Sequence, residues 1–323
     1  MHAITVSEPG DPDVLTWSQV ADPAVSDGEL LIEVTAAGVN RADLMQRQGH
    51  YPPPPGASPI IGLECSGQVV AVGAAVTGVE IGQQVVALLA GGGYAERVAV
   101  PAGQVLPLPH GIDPVTAAGL MEVAATVLSN FDLAKLTAGQ RFLVHGGSGG
   151  IGSFAIQYAK QLGANVLTTA GNQDKLAYCR DLGADVALDY HRDWAEGVQK
   201  ATDGCGVDVI LDNMGAKYLH DNLDSLALDG RLMIIGLQGG RSATIDLGAM
   251  LTRRTAVFST SLRARPVDQK AAICARVREA VWPLLAGATI RPTRHQTLPM
   301  PEAADAHRQL ESGDTLGKII LVR

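Results

Sequence analysis

The stretch Phe142-Leu-Val-His-Gly-Gly-Ser-Gly-Gly-Ile-Gly152 decides the fold: a short apolar run breaks into glycines and then enters a helical pattern. Strand, tight turn and helix in that order build an anion site, because the first amides of a helix have no intrahelical acceptor and carry the positive end of its dipole. Gly147, Gly149 and Gly152 fall on G-x-G-x-x-G spacing. The first glycine is expected to turn the chain, the second to let backbone N–H groups approach a pyrophosphate, and the third to let helix and strand pack closely. Ser148, Gly150 and Ile151 complete the turn, so 147–152 are the expected pyrophosphate contacts. The same residues satisfy G-x-S-x-G, with Ser148 where an α/β-hydrolase nucleophile would be. A hydrolase needs an acid and then a histidine downstream, and His295 or His307 would serve, so sequence order alone leaves both readings open. The residues after the turn support the dinucleotide reading: Phe154, Ala155, Tyr158, Ala159 and Leu162 recur at helical spacing, Gly163 stops the helix, and Asn165-Val-Leu-Thr-Thr-Ala170 reads as a second buried strand. Together they make a βαβ unit.

With 323 residues, and about 150 per domain, the chain has the length for two domains that each bury a core. Its apolar runs are interrupted every few residues, and its start, His2-Ala-Ile-Thr-Val-Ser-Glu, lacks the basic start and apolar core of a signal peptide. Neither a membrane span nor export is expected, which leaves the cytoplasm. Cys65, Cys179, Cys205 and Cys274 stand far apart with no C-x-x-C pair, against both a disulfide framework and a thiolate zinc site. A net charge of −8 disfavours general nucleic-acid affinity. Residues 253–294 do concentrate Arg253, Arg254, Arg263, Arg265, Lys270, Arg276, Arg278, Arg291 and Arg294, but arginines spread along helices usually form a solvated face.

The texture changes along the chain. Before about residue 118, short strands such as Glu29-Leu-Leu-Ile-Glu-Val-Thr, Gly67-Gln-Val-Val-Ala-Val-Gly and Gln84-Val-Val-Ala-Leu-Leu are punctuated by Gly and Pro, which reads as an antiparallel β domain. From Pro114 onward helix and strand alternate, with Val207-Asp-Val-Ile-Leu-Asp212 and Arg231-Leu-Met-Ile-Ile-Gly236 as later core strands, which predicts a parallel, doubly wound sheet. The last segment, Gly317-Lys-Ile-Ile-Leu-Val-Arg323, is again a strand and is expected to return to the first domain. The fold class is thus α/β, with residues 1–117 and 265–323 in one domain and 118–264 in the other.

Gly67-Gln-Val-Val-Ala-Val-Gly73, Gly78-Val-Glu-Ile-Gly82-Gln-Gln-Val85, the turn at 146–152, Gly236-Leu-Gln-Gly-Gly240 and Leu316-Gly-Lys-Ile resemble the medium-chain dehydrogenase/reductase superfamily over essentially the whole chain. Val39-Asn-Arg-Ala-Asp-Leu-Met-Gln-Arg-Gln-Gly-His-Tyr51-Pro and Leu226-Ala-Leu-Asp-Gly-Arg resemble its zinc-free quinone oxidoreductases, the zeta-crystallin relatives. The resemblance implies a GroES-like β domain on the substrate side of a cleft and a Rossmann domain carrying the nicotinamide cofactor. It also implies cofactor contacts at Asn40, Thr126, Tyr190, Gly236, Leu237, Gly239, Ser261, Leu262 and Lys318, and a substrate-facing tyrosine at Tyr51. Four of these have a plainer reading as well: Asn40 as a helix cap, Thr126 as an ordinary helix residue, Tyr190 as a strand-end aromatic, Tyr51 as a hydrophobic wall.

Zinc alcohol dehydrogenases of this superfamily hold their catalytic metal with a Cys near the start of this loop and a His in a Gly-His-Glu motif. The equivalents here are Asn40 and Leu63, neither of which supplies a ligand for tetrahedral zinc, so no metal is expected. Without a Lewis acid, an electron-poor quinone or enone is an easier hydride partner than an alcohol. An NAD enzyme places a carboxylate about 20 residues after its glycine turn. That position is Asn172; Asp174 could be a displaced acid, but it suits the first turn of the following helix better, so NADPH is the expected cofactor, with Gly171, Asn172 and Lys175 toward its 2′-phosphate. The expected protein is an NADPH:quinone oxidoreductase, and a homodimer joined at the Rossmann edge through Ala243-Thr-Ile-Asp-Leu and Thr255-Ala-Val-Phe-Ser-Thr. An enoyl or enone reductase, or a cofactor-gated RNA-binding protein, are the alternatives.

Overall fold

The computed structural model describes residues 1–323, which divide into two compact units: Met1–Ala125 with Leu262–Arg323, and Thr126–Ser261. The first unit is organised around the strand Glu29–Val39, in which Leu30, Ile32 and Val34 are fully buried and alternate with half-exposed neighbours. Such alternation of branched residues fits a pleated ribbon with one face in a core. The strand pairs antiparallel with Glu64–Val72, Arg97–Pro101 and Lys318–Val322. The sheet continues through Gln84–Leu88 to Val105–Pro107 on one side and from Lys318–Val322 to His295–Pro299 on the other. The chain end thus returns to the first unit as its sequence predicts, with Ile319 opposite Val39 and Val322 opposite Ala36. One core, including Ile4, Leu30, Ile32, Val34, Leu44, Ile61, Tyr94, Ile319 and Leu321, holds this unit together. Each such side chain contributes about 1.5–3 kcal/mol by leaving water.

The second unit is a six-stranded parallel sheet in the order Val186–Asp189, Asn165–Ala170, Arg141–Val144, Val207–Asp212, Leu226–Ile234, Ala256–Ser259. Numbered along the chain this is 3-2-1-4-5-6, the doubly wound dinucleotide-binding order. Its central strands are buried almost throughout, as strands covered on both faces must be. The order reverses between Arg141–Val144 and Val207–Asp212, and there the first residue past one strand still bonds to the other: His145 N–H donates to the Leu211 carbonyl at 3.2 Å. The edge differs from expectation in one respect. Ala243–Ile245 form no strand; Asp246 caps the helix Leu247–Arg253 by accepting from Ala249 N–H at 3.1 Å, and Ala256–Ser259 alone makes the outer strand. An Asp ahead of a helical run outweighs the β-branched pair before it.

Candidate active site

Apart from Thr126, the predicted cofactor residues of the second unit gather at one edge. Gly147–Gly152 follow Arg141–Val144, Gly171, Asn172 and Lys175 follow Asn165–Ala170, Tyr190 follows Val186–Asp189, Gly236–Gly239 follow Leu226–Ile234, and Ser261 follows Ala256–Ser259. This is the carboxyl edge of a parallel sheet, where an open α/β fold binds ligands. The glycines divide the work differently from the expectation. The turn itself is made by Gly146, at φ +71°, whereas Gly147 has ordinary φ and is glycine for lack of space: a Cβ there would collide with Thr168 Oγ1 and approach Cys179 Sγ to 2.9 Å. At Gly152 a Cβ would strike Gly147 Cα at 2.5 Å, the close helix-to-turn packing expected of the third glycine. At Gly149, the N-cap of the helix Gly150–Gln161, a Cβ would meet only Gly146 O at 3.5 Å, an ordinary contact. This glycine lies at the N-terminus of a helix, where free amides and the positive end of the dipole favour an anion.

Neighbouring segments complete this side. Tyr190 packs its hydroxyl end over Gly171 so closely that no side chain fits there. Asn172 spends its amide oxygen as the cap of Gln173–Asp181, accepting from Lys175 N–H at 2.9 Å, and Lys175 itself is 7% exposed. Gly239 N–H donates to Met214 O at 2.6 Å, which seats the loop 236–240 against the exit of Val207–Asp212 and leaves Leu237 exposed. Thr126 is buried in the helix Met121–Ala134, its carbonyl accepting from Asn130 Nδ2 at 2.8 Å. Ser148 has no histidine bonded to it; the nearby His145 is engaged by Thr169 Oγ1 at 3.1 Å and Asn222 Oδ1 at 2.7 Å, so no hydrolase triad forms at this turn.

In the first unit, Asn40, Glu64 and Lys318 form one buried group. Lys318 Nζ donates to Glu64 Oε1 at 2.5 Å and to Asn40 Oδ1 at 2.7 Å; Asn40 Nδ2 donates to Glu64 Oε1 at 3.0 Å, and Glu122 N–H to Glu64 Oε2 at 3.0 Å. Glu64 is fully buried and Lys318 is 4% exposed. Asn40 thus commits both ends of its amide to this group, while on the helix side the Asp43 carboxylate accepts from the Asn40 N–H at 2.7 Å. The donor set does not fit a zinc ion. Leu63 is an alkyl chain, Glu64 is saturated by an ammonium and two N–H donors, and nowhere in the chain do three or more His, Cys, Asp or Glu side chains group as metal ligands.

Three residues that sequence reading passes over belong to this side. Asp43 is fully buried, accepts from Tyr94 OH at 3.1 Å, keeps Oδ1 without a partner, and is pushed by burial up to about 7. Glu122 is half-buried, and burial followed by repulsion from Glu64 raises it to about 8. Arg263 is 4% exposed, donates to the carbonyl of Tyr51 at 3.1 Å, and lies 5.2 Å from the centre of the Tyr51 ring. Acids inside apolar helical runs, as in Met121-Glu-Val-Ala-Ala, are the readable signal for the first two; Arg263 has none.

A glycine turn on a doubly wound sheet, with no histidine bonded to Ser148, marks a dinucleotide-binding fold of the oxidoreductase type rather than a hydrolase. Known proteins agree. The family model of the alcohol dehydrogenase GroES-like domain matches residues 26–110, and that of the zinc-binding dehydrogenase matches 150–275. The quinone oxidoreductase of Pseudomonas aeruginosa is 30% identical over 97% of this chain and 97% of its own length. A phenolphthiocerol/phthiocerol polyketide synthase of Mycobacterium tuberculosis is 31% identical over 98% of this chain, which spans only 14% of that much longer protein. The Escherichia coli quinone oxidoreductase, solved in complex with NADPH, is 27% identical with a TM-score of 0.91, each chain covering 100% of the other. The chain belongs to the medium-chain dehydrogenase/reductase superfamily, with its quinone oxidoreductases.

Proposed function

We propose that this protein is an NADPH-dependent, zinc-independent quinone oxidoreductase. The observation that carries the reading is the saturation of Glu64 by Lys318 and Asn40: where the zinc branch assembles a Lewis acid, this chain has a closed ion pair, so its substrate must accept hydride unaided. Bound NADPH supplies that hydride. The amides at the N-cap Gly149 hold its pyrophosphate, Tyr190 and Lys175 take its 2′-phosphate, and the absence of a carboxylate at Asn172 leaves that phosphate unopposed. Tyr51, at the head of the loop Pro52-Pro-Pro-Pro55, donates a hydrogen bond to the quinone oxygen as it gains charge. The outer strand Ala256–Ser259, paired on one side only, supports a homodimer, and four unpaired cysteines support a reducing, cytoplasmic compartment. No helix is long and apolar enough to cross a membrane.

The test is NADPH oxidation by the purified protein across quinones, enones, aldehydes and alcohols, with elemental analysis of the same preparation. Quinone turnover that survives chelation is the expected result. One zinc per chain, lost together with activity, would overturn the metal-free reading. Faster enone than quinone turnover would make the protein an enone reductase, and retention on RNA without turnover would make it a binding protein. Tyr51→Phe is expected to lower kcat by about tenfold with unchanged NADPH affinity, and Lys175→Gln to cost about tenfold in affinity for NADPH and little for NADH.

A further inference from the structure

Among the nine basic residues concentrated between 253 and 294, Arg263 turns inward. All three of its nitrogens donate to neutral acceptors: Nε to Ala90 O at 2.8 Å, Nη1 to Tyr51 O at 3.1 Å, and Nη2 to Gln46 Oε1 at 2.7 Å. No carboxylate lies within salt-bridge distance of it. A buried cation with no paired anion is costly, and a neutral side chain would tie the same backbone together more cheaply. Asp43 and Glu122 attract it at longer range, but no ion pair offsets its burial. What the charge serves is indicated by the remaining contact, the face of the Tyr51 ring 5.2 Å from Cζ. A guanidinium in this position braces the ring and, through the Tyr51 carbonyl, ties the loop that carries it to Gln46 and Ala90. It also sets a permanent positive field at the phenol, in surroundings that screen it poorly.

We propose that Arg263 is the positioning residue of Tyr51: it holds the phenol in the orientation that donates to the acceptor's carbonyl oxygen, and its charge favours the negative charge that this oxygen gains. The inference rests on the reading of Tyr51 as the group that faces the quinone. The role is indirect: three of the five guanidinium N–H groups are committed to protein, and the ring of Tyr51 lies between Arg263 and the chemistry proposed for its hydroxyl. Acceptors whose oxygen becomes fully anionic on hydride addition should depend on it most, and acceptors that build little charge should depend on it least.

The experiment is a double-mutant cycle in the full-length protein, reading kcat and KM for a quinone with NADPH saturating. Arg263→Met, which keeps bulk and removes charge, is expected to lower kcat about tenfold with KM for NADPH unchanged, and Arg263→Lys to recover part of that loss. In a Tyr51→Phe background the Met substitution should change kcat by less than about twofold, because residues acting as a unit are not additive. Equal proportional losses in both backgrounds, or none in either, would overturn the proposal. A second readout is independent of turnover. The ring resonances of Tyr51 in labelled protein, assigned by their loss in Tyr51→Phe, should shift in Arg263→Lys at unchanged melting temperature. Unshifted resonances would refute the positioning role even if no quinone is reduced, whereas absent turnover with shifted resonances would refute only the assignment of the reaction.

Discussion

Single buried residues contribute to the stability of the protein and to its response to pH. Lys318 and Glu64 are each other's compensation, since both are buried. Lys318→Met leaves a buried carboxylate with only amide donors and is expected to cost about 3–5 kcal/mol by urea denaturation, while adding Glu64→Gln should recover most of it. A double variant no more stable than Lys318→Met would show that the pair's charge is not what matters. Protons run the other way at Asp43 and Glu122, held up to about 7 and about 8 by burial. The folded chain keeps protons there that the unfolded chain gives up near pH 4, so the stability these groups contribute is full below about pH 4 and lost as pH rises through 7 and 8. His145 and His307, pushed down by burial to about 4 and about 3, act oppositely and withdraw stability as pH falls below about 6.5. Between pH 6.5 and 8, of these four groups, the carboxyls alone remain. Unfolding free energy should fall there by about 1 kcal/mol per pH unit for each titrating carboxyl, and Glu122→Gln should flatten the slope between pH 7 and 8. Parallel slopes in the two proteins would mean that Glu122 is already ionised.

At the scale of elements, the glycine turn separates folding from binding. Gly152→Ala drives a methyl into the backbone of Gly146 and Gly147, which cannot yield, and is expected to destabilise the protein by about 1–3 kcal/mol. Gly149→Ala meets only Gly146 O at 3.5 Å and should leave the melting temperature nearly unchanged while crowding the helix N-terminus and weakening NADPH binding. Calorimetry and cofactor titration of the two variants distinguish them, and wild-type NADPH affinity in Gly149→Ala would show that the pyrophosphate does not sit there. The turn was legible because strand, glycines and helix are consecutive. The exact division of roles was not: that Gly146 takes the positive φ, and that Gly147 is constrained by Thr168 and Cys179, depends on neighbours that the chain reaches more than twenty residues later.

For the whole molecule, the open edge is the feature with consequences. Ala256–Ser259 pairs only with Leu226–Ile234, and the helix leading to it, Leu247–Arg253, buries none of its residues and leaves Leu247 73% and Leu251 79% exposed. An unpaired strand next to bare leucines is a surface that a second copy of the chain would cover. Light scattering at micromolar concentration should give a dimer, and Leu251→Glu should give a monomer with unchanged circular dichroism; a monomeric wild type would refute the interface. The sequence by itself determined what short-range order can encode: a doubly wound sheet from strand, turn and helix in succession, an antiparallel unit from alternating branched residues, a final strand rejoining the start. The tertiary structure alone decided where the charges went. Lys318 finds Glu64 254 residues away, Asn40 turns its amide to that pair, and Arg263 leaves a basic, solvent-like segment to lie under Tyr51. Periodicity reports which face of an element is apolar; it says nothing of which distant partner makes it tolerable for a long charged side chain to leave water.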